Sequence, residues 1–102
     1  MICVIATIEV AAGQRNELLA LFRGLIPMVR SEKGCIEYAP MIDVPSGLGV
    51  QGPIRPNVVA MVEKWESLAA LESHLNMPHM ADFFAQTADM GLSLSIQVLK
   101  PA

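Results

Sequence analysis

A single α+β domain with the element order β-α-β-β-α-β is the architecture that the sequence predicts, and three observations carry it. Apolar residues alternate at strand spacing near both ends of the chain and again before Trp65. Between these runs the spacing changes to that of amphipathic helices. The chain has 102 residues, enough for one core and short for two. This order is that of a ferredoxin-like domain, in which a four-stranded antiparallel sheet carries its helices on one face.

The first strand is read over Ile2–Val10. Ile2, Val4, Ala6, Ile8 and Val10 form one side, and Cys3, Ile5, Thr7 and Glu9 form a second side that is still partly apolar, which argues for cover on both faces. Gly13 marks a turn. From Gln14 to about Arg30, Leu18, Leu19, Phe22, Leu25, Ile26 and Val29 make a helical stripe, while Arg15, Glu17 and Arg23 lie toward water. Pro27 lacks a backbone donor and is expected to kink the last turns.

The second strand spans Cys35 to Asp43, with Ile36 and Tyr38 pointing one way and Cys35 and Glu37 the other. Pro40 suits an edge or a bulge. The Asp43–Asn57 connection, rich in Gly and Pro, is too long for a hairpin and suggests an arm toward a partner or a lid over a cavity. Val58–Trp65 is the third strand, with Glu63 and Trp65 on one face. Ser67 caps the next helix, which buries Leu68, Leu71 and Leu75. After Asn76, Pro78 opens a second short helix packed through Met80, Phe83, Phe84, Thr87 and Met90. Gly91 ends it, and Leu92–Leu99 is the last strand.

Composition narrows the function classes. Hydrophobic residues make up 53% of the chain and charged residues 17%, a high apolar share for so small a body, so a homodimer joined through the exposed sheet face is expected. The net charge of -3 and the scattered Lys and Arg disfavour nucleic acid as a partner. Cys3 and Cys35 form neither a disulfide framework nor a metal motif and read as small buried hydrophobes. The apolar opening MICVIATIEV has no basic flank and leads into a helix pattern, so neither a signal peptide nor a membrane span is expected, and the location implied is cytoplasmic.

Chemistry concentrates between Glu63 and His79. This stretch holds both histidines, His74 and His79, the single tryptophan, Trp65, and the polar Glu63 and Asn76. Histidine suits proton transfer near neutral pH, and Asn76 suits either an oxyanion or a helix cap. Two histidines without a compact carboxylate or thiol pattern do not predict a metal site, and no Gly-rich nucleotide loop or nucleophile elbow is present.

Three fragments then carry a family resemblance: Glu32-Lys33-Gly34-Cys35-Ile36-Glu37-Tyr38, Glu63-Lys64-Trp65-Glu66-Ser67, and Leu71 through His74-Leu75-Asn76-Met77-Pro78-His79-Met80. In order and position they resemble the antibiotic biosynthesis monooxygenase family of small dimeric α/β-barrel proteins. The resemblance implies a cofactor-independent monooxygenase acting on a small phenolic, polyphenolic or quinol-like molecule. It implies His74 or His79 as the base, with Trp65 and Tyr38 lining the pocket. Haem-degrading enzymes and an isomerase are related to this family, and a non-enzymatic dimer binding a hydrophobic small molecule is the other alternative. The long 43–57 connection departs from the family pattern.

Overall fold

The computed structural model describes all residues from 1 to 102. Its elements are β1 (Ile2–Glu9), α1 (Arg15–Arg30), β2 (Cys35–Met41), β3 (Val58–Trp65), α2 (Leu68–Leu75), α3 (Pro78–Gln86) and β4 (Ser93–Leu99). The four strands form one antiparallel sheet in the order β2-β3-β1-β4, so the expected ferredoxin-like α+β fold is the observed one.

One sheet face builds the core. Val4, Ala6 and Ile8 of β1 and Val59, Met61 and Trp65 of β3 meet Leu18, Phe22, Leu25 and Val29 from α1, a stripe at helical spacing. Phe22 also reaches Phe83 of α3, with ring centroids 4.6 Å apart. Pro27 remains within the helix. Its last turn is closed by the Ser31 N–H, which donates to the Pro27 carbonyl at 3.2 Å. The opposite sheet face carries Ile5, Ala60, Val62 and Leu99 without a covering layer in the chain. No helix is long and apolar enough to cross a membrane.

Three packing expectations change. A bulge between Cys35 and Glu37 inserts Ile36 as an unpaired residue, so Cys35 packs against the core beside inward-facing Tyr38 while Ile36 turns out. The buried face of α2 passes through Leu71 and His74, three residues apart, and leaves Leu68 and Leu75 exposed. Phe84 is exposed because the inward positions of α3 are Met80 and Phe83. Pro40 lies on β2, an edge strand, where its missing N–H breaks no central ladder.

The 43–57 connection folds back on itself. The Asp43 carboxylate accepts from the Arg55 backbone N–H at 2.9 Å and from its guanidinium at 3.0 and 2.8 Å. Gln51 Nε2 donates to the Val44 carbonyl at 3.0 Å. Val44, Leu48 and Val50 stand exposed around these contacts.

Candidate active site

Strand alternation sets the first wall of the site. Glu63 and Trp65 face the helices from β3, and Tyr38 is paired with Glu63 across the β2–β3 ladder. Trp65 Nε1 donates to Glu63 Oε1 at 3.0 Å. The chain then leaves the sheet. Ser67 Oγ accepts from the Ala70 N–H at 3.2 Å, starting α2, whose last turn carries His74.

A glycine brings the second wall close. Gly34 has φ +89°, and a Cβ there would lie 2.6 Å from Ala70 Cβ, so only glycine lets the turn after α1 approach α2 this closely. The Glu66 N–H donates to the Gly34 carbonyl at 2.8 Å and fixes the contact. That turn presents Glu32. Its Oε2 lies 2.9 Å from His74 Nδ1 and 2.7 Å from His79 Nε2, joining α2 and α3 through one oxygen. An ionised carboxylate only accepts, so with Glu32 in that form both ring nitrogens facing it are donors. In the neutral His74 ring that tautomer puts the lone pair at Nε2.

His74 is enclosed on both sides. Its ring centroid is 4.6 Å from that of Trp65 at an interplanar angle of 33°, and 5.5 Å from that of Tyr38 at 64°. It borders an apolar cavity between the sheet and the α2–α3 pair, lined also by Tyr38, Glu63, Met61, Phe83 and Ile96. The cavity offers ≈ 50 Å³ to the centres of water molecules, less than an aromatic ring needs, and the half-exposed Leu75 and Phe84 are among its lining residues. Burial pushes the Glu63 carboxyl above the usual range, opposed by the Trp65 hydrogen bond. Burial, followed by the nearby Glu63 and Glu32 charges, pushes the Tyr38 hydroxyl far up, so it remains a neutral donor. Three polar groups therefore border one apolar space: His74, Tyr38 and Glu63.

Residues 1–86 match the family described as antibiotic biosynthesis monooxygenase. The chain belongs to that family. It is 39% identical over 103 residues to the Escherichia coli K12 protein named "Probable quinol monooxygenase YgiN", covering 99% of this chain and 98% of the relative. A crystal structure of PA3566 from Pseudomonas aeruginosa superposes with a TM-score of 0.80 at 28% identity, over 99% of this chain and 93% of that one. The structure of Rv0793 from Mycobacterium tuberculosis shares the fold, with a TM-score of 0.80 at 24% identity over 99% and 94% of the two chains.

Within this family member the residues singled out by sequence fall into three groups. Tyr38, Glu63 and His74 border the cavity. Trp65 is fully buried behind His74, and His79 faces a separate groove between α1 and α3 with Asp82 and Gln86, touching the site only through Glu32. Asn76 is exposed at the end of α2, where its Nδ2 donates to the Glu72 carbonyl at 2.9 Å. Residues of the 43–57 connection border a different, polar depression and do not reach the cavity. Glu32 escaped sequence analysis, being 42 residues from His74 and 47 from His79. The available signal was a carboxylate two residues before a glycine in the first family-like fragment.

Proposed function

We propose that the protein is a cofactor-independent monooxygenase of small quinol-like molecules, with His74 as the base. The observation that carries this is the pairing of His74 Nδ1 with buried Glu32 at 2.9 Å in a ring that borders an apolar cavity, a pairing that favours the neutral tautomer with its lone pair at Nε2. A phenolic hydroxyl entering the cavity gives its proton to Nε2, and Glu32 stabilises the imidazolium that forms. The electron-rich anion then reacts with dioxygen. One oxygen atom stays on the ring and the other leaves as water. The quinol supplies both reducing equivalents and ends as a hydroxyquinone.

Glu63, held toward its protonated form, and the neutral Tyr38 hydroxyl serve as donors to the second quinol oxygen. Trp65 and His79 support the site from behind: Trp65 packs on the base, and His79 holds Glu32. Asn76 serves as a helix cap and is not assigned to the substrate. The working form is a homodimer whose partner covers the apolar sheet face around Ile5 and Val62. Two free cysteines suit the reducing cytoplasm.

The test uses metal-depleted protein and a panel of hydroquinones under labelled dioxygen. Protein-dependent oxygen uptake with one labelled atom in the product supports the proposal. Saturable ligand binding with no protein-dependent product would instead make the chain a small-molecule-binding dimer.

A further inference from the structure

We propose that Glu32, His74 and His79 form a binding site for a divalent transition metal of the zinc class, and that filling this site silences His74 as a base. Each residue offers one donor atom, and the three atoms lie within 4.8 Å of one another. The Glu32 side chain is only 4% exposed, and its second oxygen, Oε1, is buried with no hydrogen-bond partner. An unpartnered buried carboxylate oxygen is costly, and a cation bound at this carboxylate offsets that cost. Two imidazoles with one carboxylate suit zinc and its neighbours in the first transition row, and do not suit magnesium or calcium, which take oxygen ligands.

The resting geometry is that of hydrogen bonds. Zinc bonds of about 2.0–2.2 Å at tetrahedral angles set donor atoms roughly 3.3 Å apart. Here the two nitrogen–oxygen separations are 2.9 and 2.7 Å and the widest separation among the three donors is within 4.8 Å, so loading lengthens the first two by about half an ångström and draws the two imidazoles together. The three ligands sit on the turn after α1, the end of α2 and the start of α3, so the adjustment is shared among three elements. His79 also borders the α1–α3 groove of ≈ 320 Å³, where Asp82 adds a negative charge, giving a cation its route from solvent.

The location fixes the consequence. Neither Glu32 nor His79 lines the apolar cavity, so a metal among the three lies behind His74, away from any substrate. Coordination at Nδ1 requires the lone pair there. The neutral ring then carries its proton at Nε2, facing the cavity. An N–H at that position donates and cannot accept a phenolic proton. No proton is gained or lost in this tautomer change. The silencing step rests on the proposed role of His74; the binding step does not.

Metal-free protein is titrated with Zn²⁺ against a chromogenic zinc chelator, with Mg²⁺ as the control cation. Uptake of one Zn²⁺ per chain is expected, with affinity lowered at least about 10-fold in Glu32→Gln and in His79→Gln, and with no uptake of Mg²⁺. His79→Gln changes a partly exposed helix turn and keeps the test decisive if Glu32→Gln folds poorly. Failure of the wild type to take Zn²⁺ from the chelator, or equal affinity in a folded variant, overturns the site. Oxygen uptake with a hydroquinone is then followed at increasing Zn²⁺. Inhibition should track occupancy, reverse with chelator, and weaken in His79→Gln relative to that variant's own zinc-free rate. Turnover that rises with zinc overturns the silencing. Absence of turnover in metal-free protein refutes the monooxygenase proposal and leaves the binding result to decide the site.

Discussion

Glu32 and Asp43 each gather donors from residues remote in sequence, with distances of 2.7–2.9 Å at Glu32 and 2.8–3.0 Å at Asp43, yet they do different work. Asp43 ties the two ends of a surface connection together through Arg55. The Arg55 side chain is half-exposed, so water competes for its bonds, and the pair orders a loop more than it stabilises the fold. Glu32 lies beneath two helices, where water cannot replace a lost donor. The same type of contact becomes structural and chemical when buried. Distance alone does not rank these interactions; access to solvent does.

The largest effect is expected at His74, the residue Glu32 orients. His74→Ala should lower the turnover of a quinol by about 10²–10⁴-fold, the usual worth of a positioned base, while sedimentation shows an unchanged assembly. Glu32→Ala removes both imidazole contacts at once and strands buried His74. About 3 kcal/mol of stability should be lost, with the thermal midpoint falling by more than about 10 °C. A loss no larger than that of a surface substitution would show that burial does not separate the two carboxylates.

Glu63 sharpens the contrast through pH. Burial raises its carboxyl above the ordinary value of 4.5, so just above that pH the folded state holds a proton that the unfolded chain has released. The stability it contributes is fully present below 4.5 and is lost as pH rises through the raised folded value. Chemical denaturation at several pH values should show this decline, and Glu63→Gln should flatten it. Asp43 has the opposite sign. Hydrogen bonds from Arg55 hold its carboxyl at about 2, below 3.8, so its contribution is present above 3.8 and lost as pH falls through about 2. The smallest effect is expected from Arg55→Ala, which should lower the thermal midpoint only slightly at neutral pH, remove the Asp43 share of the acid dependence and speed amide hydrogen exchange in the 43–57 connection.

The fold was legible because periodicity marks its elements: β1, α1 and β3 were bounded to within a residue or two by the spacing of Val4, Leu18 and Val59 among their neighbours. The bulge at Ile36 was hidden, since an inserted residue keeps the local composition of a strand and changes only which side chains face inward. The buried stripe of α2 was misread for a related reason. Hydropathy favours Leu75 over His74, and histidine becomes the inward residue only because Glu32 supplies its partner. Glu32 itself belongs to no local pattern. Its role arises where Gly34 lets a turn touch α2, a contact between fragments that spacing rules treat separately. Alternation pairs Glu63 with Trp65 on one face but groups Tyr38 with the outward Ile36, so Tyr38 is tied to the pocket by the family resemblance alone, and only the folded chain separates the cavity beside His74 from the groove beside His79.

A structure of the metal-free protein with a bound hydroquinone tests the central proposal most directly, through the distance from the phenolic oxygen to His74 Nε2. A separation of about 2.6–3.2 Å, with Leu75 and Phe84 displaced and the second oxygen near Glu63 or Tyr38, is the expected result. A ligand seated in the α1–α3 groove beside His79, or one whose hydroxyls lie beyond reach of His74, would contradict the assignment of His74 as the base.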